Sequence, residues 1–215
     1  MDTYLDFVKL SHRFSQSVTE TVGYIKSLLS RGKPKIIQHN DLQAGLKIIA
    51  DIRNLLKKVD LKFKRDYHQV HIHEKILSAA CETLFRDSFE ANKTYIYEQT
   101  GLDPTIVRGV SFTAPRQSGK TTTIVLILCA FLICIPNADI MVISHRQNAS
   151  GKDRGIGGKI GEFLPKYFGF TNFTLKDEII ECNMGSGDRR KIILASSLSG
   201  EGLVIRYVIY INIIV

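Results

Sequence analysis

Apolar side chains recur at helical spacing through the first hundred residues of this 215-residue chain. Phe14, Val18, Val22, Ile25 and Leu29 make one stripe within residues 4–30, and Gly32-Lys33-Pro34 closes it. Asn40 or Asp41 is placed to cap a second helix, which carries Leu42, Leu46, Ile49, Ile52, Leu56 and Val59. A third is expected from about Tyr67 to Phe89. The pattern changes at Gly101-Leu102-Asp103-Pro104. Ile106, Val107, Val110 and Phe112 then form a β-rich run, Pro115 breaks it, and Thr121–Ile135 is an apolar run of helix length. Ala138–Ser144 has the apolar density of a buried parallel strand. Beyond it, a helix is expected over Ile156–Phe168, two short strands within Phe173–Asn183, and a turn over Met184–Arg190. A strand follows at Lys191–Ala195, and a last apolar β-rich run lies within Gly202–Val215. The expected fold is α/β: residues 1–100 a helical region, residues 101–215 a mostly parallel sheet flanked by helices, with one late hairpin.

Length allows one α/β core with a helical extension and little more. The net charge of +8 sharpens this picture, because residues 1–65 hold 13 Lys/Arg against 6 Asp/Glu, a local +7 that leaves +1 for the rest. A basic helical segment fits either a polyanionic partner or a solvated basic face. Lys57, Lys58, Lys62, Lys64 and Arg65 are the dense part of that excess, which predicts weak, salt-sensitive and sequence-independent DNA binding. Cys81, Cys129, Cys134 and Cys182 form no CxxC pair and no disulfide-type framework, pointing to a reducing, intracellular location. The amphipathic N-terminus is unlike a signal peptide, and the 12 residues of Ile124–Ile135 are too few for a membrane span.

Candidate chemistry concentrates in Val110–Val125, VSFTAPRQSGKTTTIV. The pattern G-x-x-x-x-G-K-[ST] is met at Gly119, Lys120 and Thr121, with Ala114 in the first glycine position. In such a loop successive backbone N–H groups face an anion and the following helix adds its positive end. Lys120 brings a cation to the β- and γ-phosphates of ATP, and the Thr121 hydroxyl is suited to Mg2+, which prefers oxygen ligands. The expected phosphate cradle is Ala114, Pro115, Arg116, Gln117, Ser118, Gly119, Lys120, Thr121 and Thr122.

The ordered set APRQSGKT at 114–121, ISHRQNA at 143–149, IILASS at 192–197 and GEGLVIR at 200–206 resembles the ATPase domain of the viral DNA-packaging terminase large subunit. The apolar helix after the loop is most similar to the herpesvirus type, and the resemblance covers about residues 105–206. It implies a P-loop NTPase core, an ATP–Mg2+ cofactor, and a motor that drives double-stranded DNA into a capsid, with other terminase subunits and the capsid portal as partners. The host nucleus would be the location for a herpesvirus-like protein. Arg116 would stand beside the γ-phosphate and act with Lys120 in catalysis. Ser144, His145, Arg146 and Gln147 match a post-strand loop that faces nucleic acid in related translocases, and the last three are the candidate DNA contacts.

The family pattern follows its arginine with glycine, a spacer and an apolar strand ending in Asp-Glu. Here Tyr207 follows Arg206, and Asn212-Ile213 stand where the acids are expected. The aspartate of such a pair holds Mg2+ through water and the glutamate polarises the attacking water, so ATP binding is expected to survive and turnover is not. Asn212 retains an oxygen able to accept a bond from a Mg-bound water. Asp177, Glu178 and Glu181 fall in the expected hairpin as exposed charges, and the family's nuclease domain has no counterpart in the sequence. These departures suggest a partial chain, incomplete at its C-terminus, whose apolar YVIYINIIV stretch aggregates if it stays unpaired. The alternatives are a catalytically inactive nucleotide- or DNA-binding fragment and a helicase-like P-loop ATPase. His68, His71 and His73 read as a partly exposed helical surface rather than a metal site, and the glycine-rich Gly151–Gly161 as a mobile loop.

Overall fold

A computed structural model of the chain describes residues 41–106, 109–110, 119–144, 155–176, 178–196 and 207–213. All of these lie in one compact unit, Ile37–Val215. The helix expected within 4–30, the glycine-rich stretch up to Arg154 and most of the loop at 110–118 fall outside the described residues. Five helices are described: α1 Asp41–Val59, α2 Tyr67–Phe85, α3 Ser88–Thr100, α4 Lys120–Cys134 and α5 Ile156–Phe168. The strands are β1 Ala138–Ser144, β2 Thr174–Lys176, β3 Ile179–Asn183, β4 Arg189–Ser196 and β5 Tyr207–Ile213. Of the β-rich run expected after Pro104, Ile106, Gly109 and Val110 belong to no strand and the rest lies outside the described residues.

The α/β character holds, and so does the helical region over the described residues 41–100, but the sheet is not mostly parallel. Its order is β2-β3-β4-β1-β5. Only β1 and β4 run parallel; β2–β3, β3–β4 and β1–β5 are antiparallel. Connection length accounts for this. A parallel pair needs a crossover of a dozen or more residues, which α5 and the β2–β3 hairpin supply between β1 and β4. β3 and β4 are joined by the tight turn at 184–188, with Asp188 N–H bonded to the Gly185 carbonyl at 2.9 Å. Residues 197–206 are too few for a helical return, and β5 comes back antiparallel on the other side of β1, its Tyr207 opposite Ser144. The apolar tail is thereby paired with β1 over Tyr207–Ile213, as an edge strand of the sheet.

Helix α4 forms the centre. Its apolar residues are not confined to a stripe, and Ile124–Leu132 are all 0–2% exposed, as expected of a helix buried on every side. It packs on α1, α2, α5 and β4. α1 is amphipathic instead, with Ile49, Ile52, Leu56 and Val59 inward. Gly45 of α1 lies against Phe85, where an added Cβ would come within 2.5 Å of the ring. The third expected helix is two helices: Arg86 takes φ 49 and ends α2, with its N–H bonded to the Glu82 carbonyl at 2.9 Å. Arg53 fastens the three together, its Nε donating to Glu74 of α2 at 3.1 Å and its Nη1 to the Thr100 carbonyl of α3 at 2.6 Å.

Among the described residues no helix is long and apolar enough to cross a membrane. The four cysteines are free thiols, and burial pushes Cys81 up to about 12, far from a reactive thiolate at neutral pH.

Candidate nucleotide site

Gly119 stands at the N-cap of α4 with φ 77 and ψ 11, a left-handed turn that favours glycine. Its carbonyl accepts the Thr123 N–H at 2.9 Å and the Thr123 hydroxyl at 3.1 Å, which starts the helix at Lys120. The first amides of a helix have no intrahelical acceptor and carry the positive end of its dipole. Lys120, Thr121 and Thr122 fill this first turn, each half-buried. The structure thus brings together four of the expected phosphate-binding residues, with Thr121 in the first helical turn. Ala114, Pro115, Arg116, Gln117 and Ser118 lie outside the described residues, as do His145, Arg146 and Gln147.

Beneath this turn lies a polar chain that the sequence reading missed. Thr123 is buried at 1% exposure. Gln69 donates from Nε2 to its hydroxyl at 3.2 Å, and His73 bonds from Nε2 to its carbonyl at 2.8 Å. Arg65 donates from Nη1 to His73 Nδ1 at 3.0 Å. Since a guanidinium only donates, Nδ1 must be the acceptor, so the proton sits on Nε2 and is given to Thr123. Arg65 is in turn held by Asp60, Nε to Oδ1 at 2.7 Å and Nη2 to Oδ2 at 2.8 Å. Asp66 and Gln69 form a capping box at the start of α2: Gln69 N–H donates to Asp66 Oδ1 at 2.8 Å, and Asp66 N–H to Gln69 Oε1 at 3.1 Å. Gln69 is therefore fixed through its oxygen while its nitrogen reaches α4.

Burial drives His73 down to about 4, with the Arg65 charge adding to the effect and the Thr123 carbonyl opposing it. The bond from Arg65 holds Asp60 below the usual carboxylate range. Two sequence readings are corrected here. His73 is 1% exposed, not part of an open histidine surface, and the Arg65 side chain, at 7% exposure, is an internal strut rather than a DNA-facing cation. Both were legible in principle: Gln69, His73, Leu77, Ala80 and Leu84 share one helical stripe, and Asp-x-x-Gln is a capping-box spacing. His68 and His71 lie exposed against Tyr67 instead. No group of three or more metal-ligating side chains converges among the described residues.

No family model, curated protein or solved structure matches this chain.

The direction of β5 decides where Asn212 and Ile213 lie. Asn212 pairs with Asp139 and Ile213 with Ala138, at the beginning of β1. Since β1 starts three residues after α4 ends, this is the end of the sheet beside the α4 C-terminus. α4 spans 15 residues, so Lys120 is separated from it by roughly 22 Å at 1.5 Å per residue. Asn212, which retains an oxygen able to accept a bond, is thus placed at the end of the sheet remote from Lys120. What lies there is a cleft of about 760 Å³ lined by residues including Phe173, Glu181 and Arg189. The Asp139–Lys191 ion pair, at 3.1 Å, stands in the same cleft.

Proposed function

We propose that this chain is the ATP-binding segment of a terminase-type DNA-packaging motor, acting on double-stranded DNA with Mg2+–ATP as cofactor. The observation that carries the reading is the left-handed Gly119 turning directly into α4 with Lys120 and Thr121 in its first turn. In this reading the amides of 114–121 and the Lys120 ammonium hold the phosphates, Thr121 ligates Mg2+, and Arg116 lies near the γ-phosphate. His145, Arg146 and Gln147 follow β1 and contact the DNA backbone. ATP hydrolysis, supplied in a complete motor by an acidic pair, would move a DNA-gripping element. Portal and partner subunits, and a nuclear location in an infected cell, belong to the same proposal.

Lys120→Ala removes a charge-assisted contact and is expected to weaken Mg–ATP binding by about 1.5–3 kcal/mol, roughly ten- to a hundredfold. Calorimetric titration of both proteins checks this, and equal affinities would sink the assignment.

The reversed β5 favours a second reading, in which this chain binds nucleotide without turning it over. Steady-state assays are expected to show no hydrolysis above background. The double variant Asn212→Asp, Ile213→Glu should not restore it, because the new carboxylates would stand beside Asp139 rather than near Lys120. Turnover by the unaltered chain that disappears in Lys120→Ala would overturn this and require an unrecognised general base.

A further inference from the structure

The α1–α2 turn carries a surface that the nucleotide reading leaves unused. Lys57, Lys58, Lys62 and Lys64 are all exposed within eight residues, and among the described residues none of them makes an ion pair. The two acids of the turn are already engaged. Asp60 is neutralised by Arg65, while Asp66 accepts the Gln69 N–H and keeps its charge, so five cations against two acids leave residues 57–67 at a net +3. Beside the lysines Tyr67 is 77% exposed and Leu61 88%. A single exposed tyrosine is ordinary, but the Tyr67 ring lies parallel to His71, with centroids 6.0 Å apart and planes 6° from parallel. The His68 ring stands across it, with centroids 5.7 Å apart and planes 73° apart. This flat aromatic pair stands at the start of a helix whose cap is locked by Asp66 and Gln69, on a turn braced from inside by Arg65 and Asp60.

The geometry points to the α1–α2 turn as a contact surface for single-stranded nucleic acid, with the lysines following the phosphates and the Tyr67–His71 pair receiving a base. A duplex offers lysines its phosphates but keeps its bases stacked, so an aromatic platform adds nothing there. An unpaired base has a free face to lay on the ring, and stacking of this kind tolerates any sequence. The inference goes beyond the packaging reading, which assigns duplex DNA and places no contact on unpaired bases, and it does not depend on ATP binding. An anionic membrane would also draw lysines next to Leu61, but it would make no use of parallel ring pairing.

Fluorescence anisotropy of the full chain, without nucleotide, tests this with a labelled oligothymidine and a duplex of equal length over a range of salt. The single strand is expected to bind more tightly. Tyr67→Ala should cost about tenfold or more on the single strand with an unchanged salt slope, while Tyr67→Phe keeps the affinity. Replacing Lys57, Lys58, Lys62 and Lys64 with glutamine should lower the slope of log affinity against log salt by about 3, at roughly 0.7 per phosphate contact on a single strand. All five positions are exposed, so circular dichroism of each variant should match the parent. Equal affinity for both nucleic acids with no effect of Tyr67→Ala would overturn the stacking role and leave a duplex-binding basic face. Binding confined to phosphatidylserine vesicles would overturn the proposal in favour of a membrane surface.

Discussion

Replacing Arg190 with alanine is expected to lower the unfolding free energy by about 3–5 kcal/mol, the usual cost of removing one partner from a buried ion pair. Arg190 is 7% exposed and has two tasks. Its Nε and Nη2 grip Asp188, at 3.0 Å to Oδ1 and 2.5 Å to Oδ2. Its Nη1 turns to the C-terminal end of α4, donating to the carbonyls of Leu132 (3.3 Å) and Ile133. Those carbonyls lie at the negative end of the helix dipole and have no acceptable substitute donor within the helix. Asp188 also receives the Asn137 N–H at 2.8 Å, so one carboxylate ties the exit from α4 to the β3–β4 turn. Alanine would leave that carboxylate without its cation and the helix end without its cap. Urea denaturation followed by circular dichroism measures the loss, and a change below about 1 kcal/mol would mean the pair is solvated in solution. Removing both charges, as Arg190→Met with Asp188→Asn, should cost less than the single alanine change, since the penalty lies mainly in the stranded partner.

Mild acid should destabilise the protein through His73. Its folded-state value of about 4 lies below the ordinary histidine value of 6.5, so the unfolded chain binds a proton that the native state refuses throughout that interval. Stability is therefore complete above about pH 6.5 and falls as the pH drops towards 4, by an upper limit of about 3 kcal/mol at 1.36 kcal/mol per pH unit. The cause is structural: protonation would add a charge in a buried site and place Nδ1–H against the Arg65 guanidinium, with Glu74 and Asp60 only partly compensating. Asp60 and Asp188 also have lowered values. They act in the same direction but only below the usual carboxylate value of 3.8, so the two phases separate. Thermal melting over a pH series checks this, with His73→Gln expected to flatten the dependence between 6.5 and 4 and to leave the lower phase. A parent protein equally stable at both ends of that interval would contradict the buried neutral tautomer.

Much of the local structure was legible because it follows from periodicity and punctuation. β1 and α5 fall where the pattern places them, and α4 is shifted from its apolar run by one residue at each end. The break between α2 and α3 was not legible, since it occurs at Arg86-Asp87 with no glycine or proline and depends on a positive φ at an arginine. Strand direction was not legible either. An apolar run such as Tyr207–Ile213 reads the same in both directions, and only the ten-residue connection before it hints that β5 returns antiparallel. Of the candidate site, the loop-to-helix junction was read from Gly119, Lys120 and Thr121. The supports under it were not, because Gln69 and His73 lie some fifty residues from Thr123 and their roles depend on how α2 meets α4.

The central position of α4 also shapes how the chain reaches this structure. A helix dry on every side cannot be covered by its neighbours in sequence alone: α1 and α2 approach it from upstream, α5 and β4 from downstream. Such contacts are non-local, and the loop-closure entropy they require is lost before their burial is rewarded, which slows folding. During synthesis α4 emerges while α5 and β4 have yet to be made, and its apolar surface, Ile124–Leu132, is exposed for that interval. Folding is thus bound to be late and cooperative, and the nascent chain has its greatest need of chaperone protection between the emergence of Cys134 and the completion of Ser196.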